Sequence, residues 1–149
     1  MNSKKYILMG IGNILRGDDG IGSFIAQSFK DHDWLSIDCG VVPENFTSII
    51  KKNRPDLIVL IDAVEMDLKS GEFRIISPDR IKALHLTTHS MPLSFLISYL
   101  KEHTQELIFI GIQPKIISYS NSLSPEVFKS SEEIIRILKG KNFLLLKKL

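Results

Sequence analysis

The sequence contains a single cysteine, Cys39. One cysteine excludes an internal disulfide and any CxxC metal or redox pair. Strong charge is also missing. The net charge is only +2, and the basic residues are scattered apart from "KKNR" and the "KK" near the end of the chain. Such a balance argues against nucleic acid or an anionic membrane as a partner. No apolar run reaches the roughly 18–20 residues that span a bilayer, and the first residues lack a signal peptide's apolar region and cleavage site. The expectation is a soluble, cytoplasmic protein. There is no P-loop, no HExxH and no G-x-S-x-G. Internal repeats, low-complexity segments and linkers are likewise missing.

What remains is an ordinary globular composition, 44% hydrophobic and 24% charged over 149 residues. A chain of this length is most simply one domain, spanning 1–149, and buries roughly 68–70% of its unfolded surface. Short apolar runs alternate with helical patterns. Tyr6–Gly10, Leu35–Gly40 and Leu57–Val64 read as strands, the first and third apolar on both faces. "EFRIIS" (72–77) reads as a fourth strand behind the turn signal Lys69-Ser70-Gly71, and Leu107–Ile112 as a fifth. Helices are expected from Asp19 to Lys30, over "PENFTSIIKKN" (43–53), from Leu93 to His103, and from Pro125 onward. Ser124 is the candidate N-cap of the last helix, and Gly140 follows its end. The tail "NFLLLKKL" fits an edge strand, a docked segment or a loose end.

This order predicts an α/β fold: a three-layer sandwich with a mostly parallel, twisted five-stranded sheet and helices on both faces, plus a hairpin-like pair around Gly71. Ligands of such sheets bind beyond the carboxyl ends of the strands, where strand order reverses. Three strand exits are therefore of interest. "GNILRGDDGIG" puts Asp18 and Asp19 after the first strand. "LIVLID" ends in Asp62. "HLTTHSMP" carries His85 and His89. If the first and third strands are neighbours, Asp19 and Asp62 face each other across one crevice. Two close carboxylates repel unless a cation lies between them. With an imidazole they make a plausible first-row divalent metal site.

Simpler readings stand beside this one. Asp18 or Asp19 could cap the first helix. His89 could be a hydrogen-bonded loop histidine, and His85, between Leu84 and Leu86, a partly buried structural one. His32 and His103 lie in polar surroundings and read as surface. "GIGNIL" opens like a dinucleotide fingerprint, but Leu15 stands where its third glycine belongs, and two acids in the next turn oppose a pyrophosphate. Cys39 reads as a small buried hydrophobe rather than a nucleophile.

The chain resembles the hydrogenase maturation endopeptidases. The matching pieces keep their order: "GIGNILRGDDGIG", "PEN" (43–45), "LIDAVEM" (60–66), "GEFRIISPD" (71–79), "TTHSMPLSFLI" (87–97), "FIGIQP" (109–114) and "LSPEV" (123–127). "TTHSMPL" and "GEFRIISPD" are most similar to the formate-hydrogenlyase-type branch. Cys39 stands where close relatives are expected to have Gly. The resemblance implies an endopeptidase that trims the C-terminal extension of a nickel–iron hydrogenase large-subunit precursor. It implies Asp19, Asp62 and His89 as metal-binding positions, with Asp19 and Asp62 catalytic. Nickel already held by the precursor is the implied metal, and the precursor the implied partner of a monomeric protein. A non-catalytic nickel or precursor chaperone and a nucleotide-binding module remain alternatives on the same fold.

Overall fold

The computed structural model describes residues 4–86 and 91–149. Five strands form one sheet: β1 (Tyr6–Ile11), β2 (Trp34–Gly40), β3 (Leu57–Ala63), β4 (Phe73–Ile75) and β5 (Glu106–Ile112). Their order is β2-β1-β3-β5-β4. All pairings are parallel except β4 with β5, which is antiparallel. The fold class matches the sequence expectation. The hairpin does not form: β5 lies between β3 and β4. Gly71 still turns the chain, at φ 90°, but the strand it releases crosses to the far edge.

Side chains alternate across the sheet and so fill two cores. On one face Ile7, Met9, Ile58, Leu60 and Phe109 pack with Ile50 of α2 (Thr47–Asn53), Ile81 of α3 (Pro78–Ala83), and Leu93, Leu96, Ile97 and Leu100 of α4 (Leu93–Lys101). On the other, Leu8, Val59, Ile61, Ile110 and Ile112 pack with Ile21 and Ile25 of α1 (Ile21–Ser28) and with Val127, Ile134, Ile137 and Leu138 of α5 (Pro125–Gly140). Each such side chain, fully buried, contributes about 1.5–3 kcal/mol.

Several local expectations need correction. α3 is absent from the sequence reading. It is short, and its start is set by Ser77, whose side chain accepts a hydrogen bond from the Arg80 N–H, with Pro78 behind it. The segment before α2 is a separate 3-10 turn, Pro43–Phe46. Gly140 does not terminate α5. It is the last helical residue, and Lys141 makes the left-handed exit at φ 57°. The tail docks on the sheet edge: Ile75 N donates to Lys147 O at 2.7 Å and Leu149 N to Ile75 O at 2.9 Å. Those bonds cover the β4 backbone groups that would otherwise form an exposed edge.

β1 is flanked by β2 on one side and β3 on the other, so strand order reverses between β1 and β3. The crevice beyond their carboxyl ends is the topological switch point.

Candidate functional site

β1 leaves the sheet at Ile11, and the chain folds over its end with unusually close backbone contact. A Cβ on Gly22 would overlap the carbonyl oxygens of Ile11 and Ile61, and one on Gly10 would overlap the carbonyl of Gly22. Gly10 and Gly22 therefore let α1 rest directly on the backbones of β1 and β3, while Gly12 and Gly20 let the turn fold closely on itself. They are packing glycines, which accounts for the incomplete dinucleotide pattern.

Between β1 and α1 lies a 3-10 turn, Gly17–Gly20, that carries both acids. Neither caps α1: its N-cap is Gly20, with no side-chain bond to the helix. The two acids diverge. Asp18 is fully buried, 0% exposed. Its Oδ2 accepts from Lys115 N (2.8 Å), Ile116 N (2.9 Å) and Ser124 Oγ (2.8 Å), and its Oδ1 from Ser124 N (2.8 Å). Burial works to raise its pKa, but the hydrogen bonds from Ile116, Ser124 and Lys115 outweigh it and hold the carboxyl below 3.8. Asp18 is thus a structural anion held by four protein donors.

Asp19 is half-buried, and its Oδ2 accepts one bond, from Asn13 N at 3.2 Å. Asn13 in turn accepts from Leu15 N at 2.9 Å, shaping the bend that brings its own N–H to Asp19. Asp62 sits in β3 opposite Gly111. Its Oδ1 accepts from the adjacent Ala63 N at 2.8 Å. Withdrawal from water and then the charge of Asp19 push the Asp62 carboxyl well above 3.8. Among the described residues neither Asp19 nor Asp62 takes part in an ion pair.

The strand neighbours that sequence reasoning placed across a crevice are therefore neighbours, and two of the three expected site residues interact there. His89 lies outside the described residues. Among the described residues no group of three or more His, Cys, Asp or Glu side chains is disposed to hold a metal ion. His85 departs from the partly buried reading: it is exposed, in a left-handed turn at φ 52°. His103 is half-buried, with its ring edge-on to Tyr99 at 5.0 Å. Cys39 is buried as expected. Burial, with Asp38 and Glu44 nearby, pushes its thiol up to about 12.

Gln113 has a role that the sequence reading missed. It is buried at the end of β5, and its Oε1 accepts from Met66 N (2.7 Å) and Leu68 N (3.2 Å). Its Nε2 donates to Glu65 at 2.6 Å. The amide thereby fixes the loop that follows Asp62. A polar amide directly after the apolar run "LIFIGI" was the available signal.

A cleft of about 430 Å³ runs along Lys69–Arg74 and α5. Neither Asp19 nor Asp62 lines it, and four basic side chains mingle there with three acidic ones.

A family model described as hydrogenase maturation protease, HycI, matches residues 21–140. The hydrogenase 3 maturation protease of Escherichia coli K12 is 38% identical over 138 residues, covering 90% of this chain and 88% of that protein. A putative hydrogenase maturation protease of Methanocaldococcus jannaschii is 37% identical over 149 residues, covering 92% and 88%. A crystal structure of the hydrogenase 3 maturation protease superposes with a TM-score of 0.85 at 36% identity, covering 93% of this chain and 91% of that one. The [NiFe] hydrogenase maturation protease HycI of Thermococcus kodakarensis gives 0.80 at 32%, covering 92% and 91%. The fold and the matches define an α/β endopeptidase. The chain belongs to the hydrogenase maturation protease family, in its HycI branch.

Proposed function

We propose that this endopeptidase removes the C-terminal extension of a nickel–iron hydrogenase large-subunit precursor after nickel insertion. In this reading Asp19, Asp62 and His89 recognise the nickel held by the precursor. The supporting observation is the carboxylate pair: burial and then the charge of Asp19 push the half-buried Asp62 carboxyl well above its ordinary range, and no cationic side chain among the described residues pairs with either. A divalent cation offsets that repulsion. Oxygen and imidazole donors suit Ni²⁺.

The chemistry follows from that contact. Exchange of nickel ligands onto Asp19 and Asp62 holds the precursor's scissile peptide at the mouth of the β1/β3 crevice, which supplies proximity. A nickel ion held by Asp19, Asp62 and His89 would supply Lewis-acid chemistry there, polarising a carbonyl or acidifying a water. A precursor without nickel leaves the two carboxylates facing each other, so it binds weakly. That difference protects an unfinished precursor from cleavage. The protein acts as a cytoplasmic monomer on this one protein partner, with no part for nucleic acid or membrane. Among the described residues no helix is long and apolar enough to cross a membrane.

The test compares precursor loaded with nickel and precursor left empty, each mixed with the protease and weighed by mass spectrometry. Trimming of the loaded form alone is expected. Equal trimming of both forms removes the nickel-recognition step.

A further inference from the structure

Asp18 is the one acid of the turn whose bonds all leave its own neighbourhood. Its four donors come from Lys115, Ile116 and Ser124, which lie 97 to 106 positions away. The backbone repeats the connection. Asp18 N donates to Ile116 O (2.9 Å), Gly17 N to Ser120 O (2.8 Å), and Ser120 N to Leu15 O (3.0 Å). The turn thus clasps the loop between β5 and α5 on both its backbone and its side-chain face. Ser124 is the N-cap of α5, yet its hydroxyl makes no bond to that helix and donates to Asp18 instead.

Besides the Asn13 N–H to Asp19 bond and the close approach of Gly12 to Asp19 O, the clasp is what ties the turn to the rest of the chain. The turn is a four-residue 3-10 segment with glycine at both ends and no side-chain cap. Gly17 adopts φ 58° and approaches Ile116 O so closely that a Cβ would crowd it. Asp19 follows Asp18 directly, so its carboxyl goes where the clasp sets the backbone. Functional groups need such support to stay within about 0.5 Å of a productive geometry.

We propose that Asp18 is the positioning residue of this protease: by tying the turn to the β5–α5 loop, it fixes the Asp19 carboxyl beside Asp62. This rests on the reading of Asp19 and Asp62 given above. Asp18 itself is fully buried, and its carboxylate oxygens are taken up by protein donors. An amide in its place cannot satisfy the cage. Either orientation of Asn aims an NH₂ group at a donor, at Ser124 N on one side or at Lys115 N, Ile116 N and Ser124 Oγ on the other.

The test uses Asp18→Asn and the milder Ser124→Ala, which removes one donor and leaves the carboxylate. Amide hydrogen exchange is read first, without nickel or precursor. Exchange at residues 17–20 and 115–120 is expected to quicken about tenfold in Asp18→Asn while the β1, β3 and β5 amides keep their protection. Steady-state trimming of nickel-loaded precursor is read second, per mole of folded protein. A kcat loss of about 10- to 100-fold is expected for Asp18→Asn, and a smaller loss for Ser124→Ala, with a rise in KM beside it because Asp19 also binds the precursor's nickel. Combining the two changes should cost less than the product of the separate losses, because both break one clasp. A purely structural Asp18 would lower thermal stability and leave the kcat of folded protein unchanged. Unchanged exchange, or faster exchange with full kcat, overturns the proposal. Should Asp18→Asn fail to fold, the same readouts on Ser124→Ala decide. A wild-type protein that trims loaded and empty precursor alike counts against nickel recognition, whereas the dependence of kcat on Asp18 is read from the variants and stands or falls separately.

Discussion

Asp62, at the end of β3, feels the charge of Asp19, in the turn after β1, across the point where strand order reverses, and that charge adds to burial in pushing the Asp62 carboxyl well above 3.8. A raised carboxylate pKa means that the folded protein holds a proton the unfolded chain releases. Stability is then greatest below 3.8 and falls as pH rises toward the folded pKa. At neutral pH the pair is a cost of folding. Asp62→Asn should therefore raise the melting temperature of the ligand-free protein, by about 2–4 °C per kcal/mol recovered. The same change should abolish trimming. Scanning calorimetry and a cleavage assay on one preparation check both halves.

Asp18 has the opposite sign. Its folded pKa lies below 3.8, so its contribution is complete above that value and is lost as pH falls through the folded pKa. Urea midpoints of wild type and Asp18→Asn should differ most near neutrality. The gap should narrow only in acid, below pH 3.8. A gap that closes between pH 7 and 5 would assign the lost stability to another group.

Gly22 and Gly40 separate two uses of glycine. A Cβ at Gly22 would enter the space of two backbone carbonyls that cannot move aside, those of Ile11 and Ile61. Gly22→Ala should cost at least the roughly 1–3 kcal/mol typical of overpacking, a large fraction of the about 5–15 kcal/mol that holds a domain folded. Gly40 has φ 54° with open space around it. Gly40→Ala should cost only the left-handed backbone penalty of about 1–2 kcal/mol. Chemical denaturation of the two variants measures the difference.

Cys39, with its thiol pushed up to about 12, has almost no thiolate at neutral pH. A disulfide reagent at pH 8 should modify it slowly in the native protein and quickly in denaturant. Cys39→Ala should keep full trimming activity, at a modest loss of stability from the small cavity.

Much of this architecture is legible in the sequence because burial leaves a local trace. β1, β3 and β5 are apolar on both faces, so continuous runs such as "LIVLI" reveal them. Asp62 stands out as the carboxylate that ends such a run. Pairing across the chain leaves no such trace. Nothing near Gly71 shows that β5 inserts between β3 and β4, and the hairpin expectation fails for that reason. Asp18 illustrates the same limit. Beside α1 it looks like a cap, yet its donors come from Lys115, Ile116 and Ser124. α3 was readable in "SPDR", where a Ser cap precedes Pro, but its six residues carry too little apolar pattern to draw attention.

The central claim, that Asp19 and Asp62 share a cation, is tested most directly by crystals of the protein grown with nickel or cadmium and measured at the metal's absorption edge. Anomalous density is expected at the β1/β3 crevice within coordination distance of both carboxylates, and it should vanish in Asp19→Asn. Density confined to other surface sites, or unaltered by that substitution, would contradict the claim.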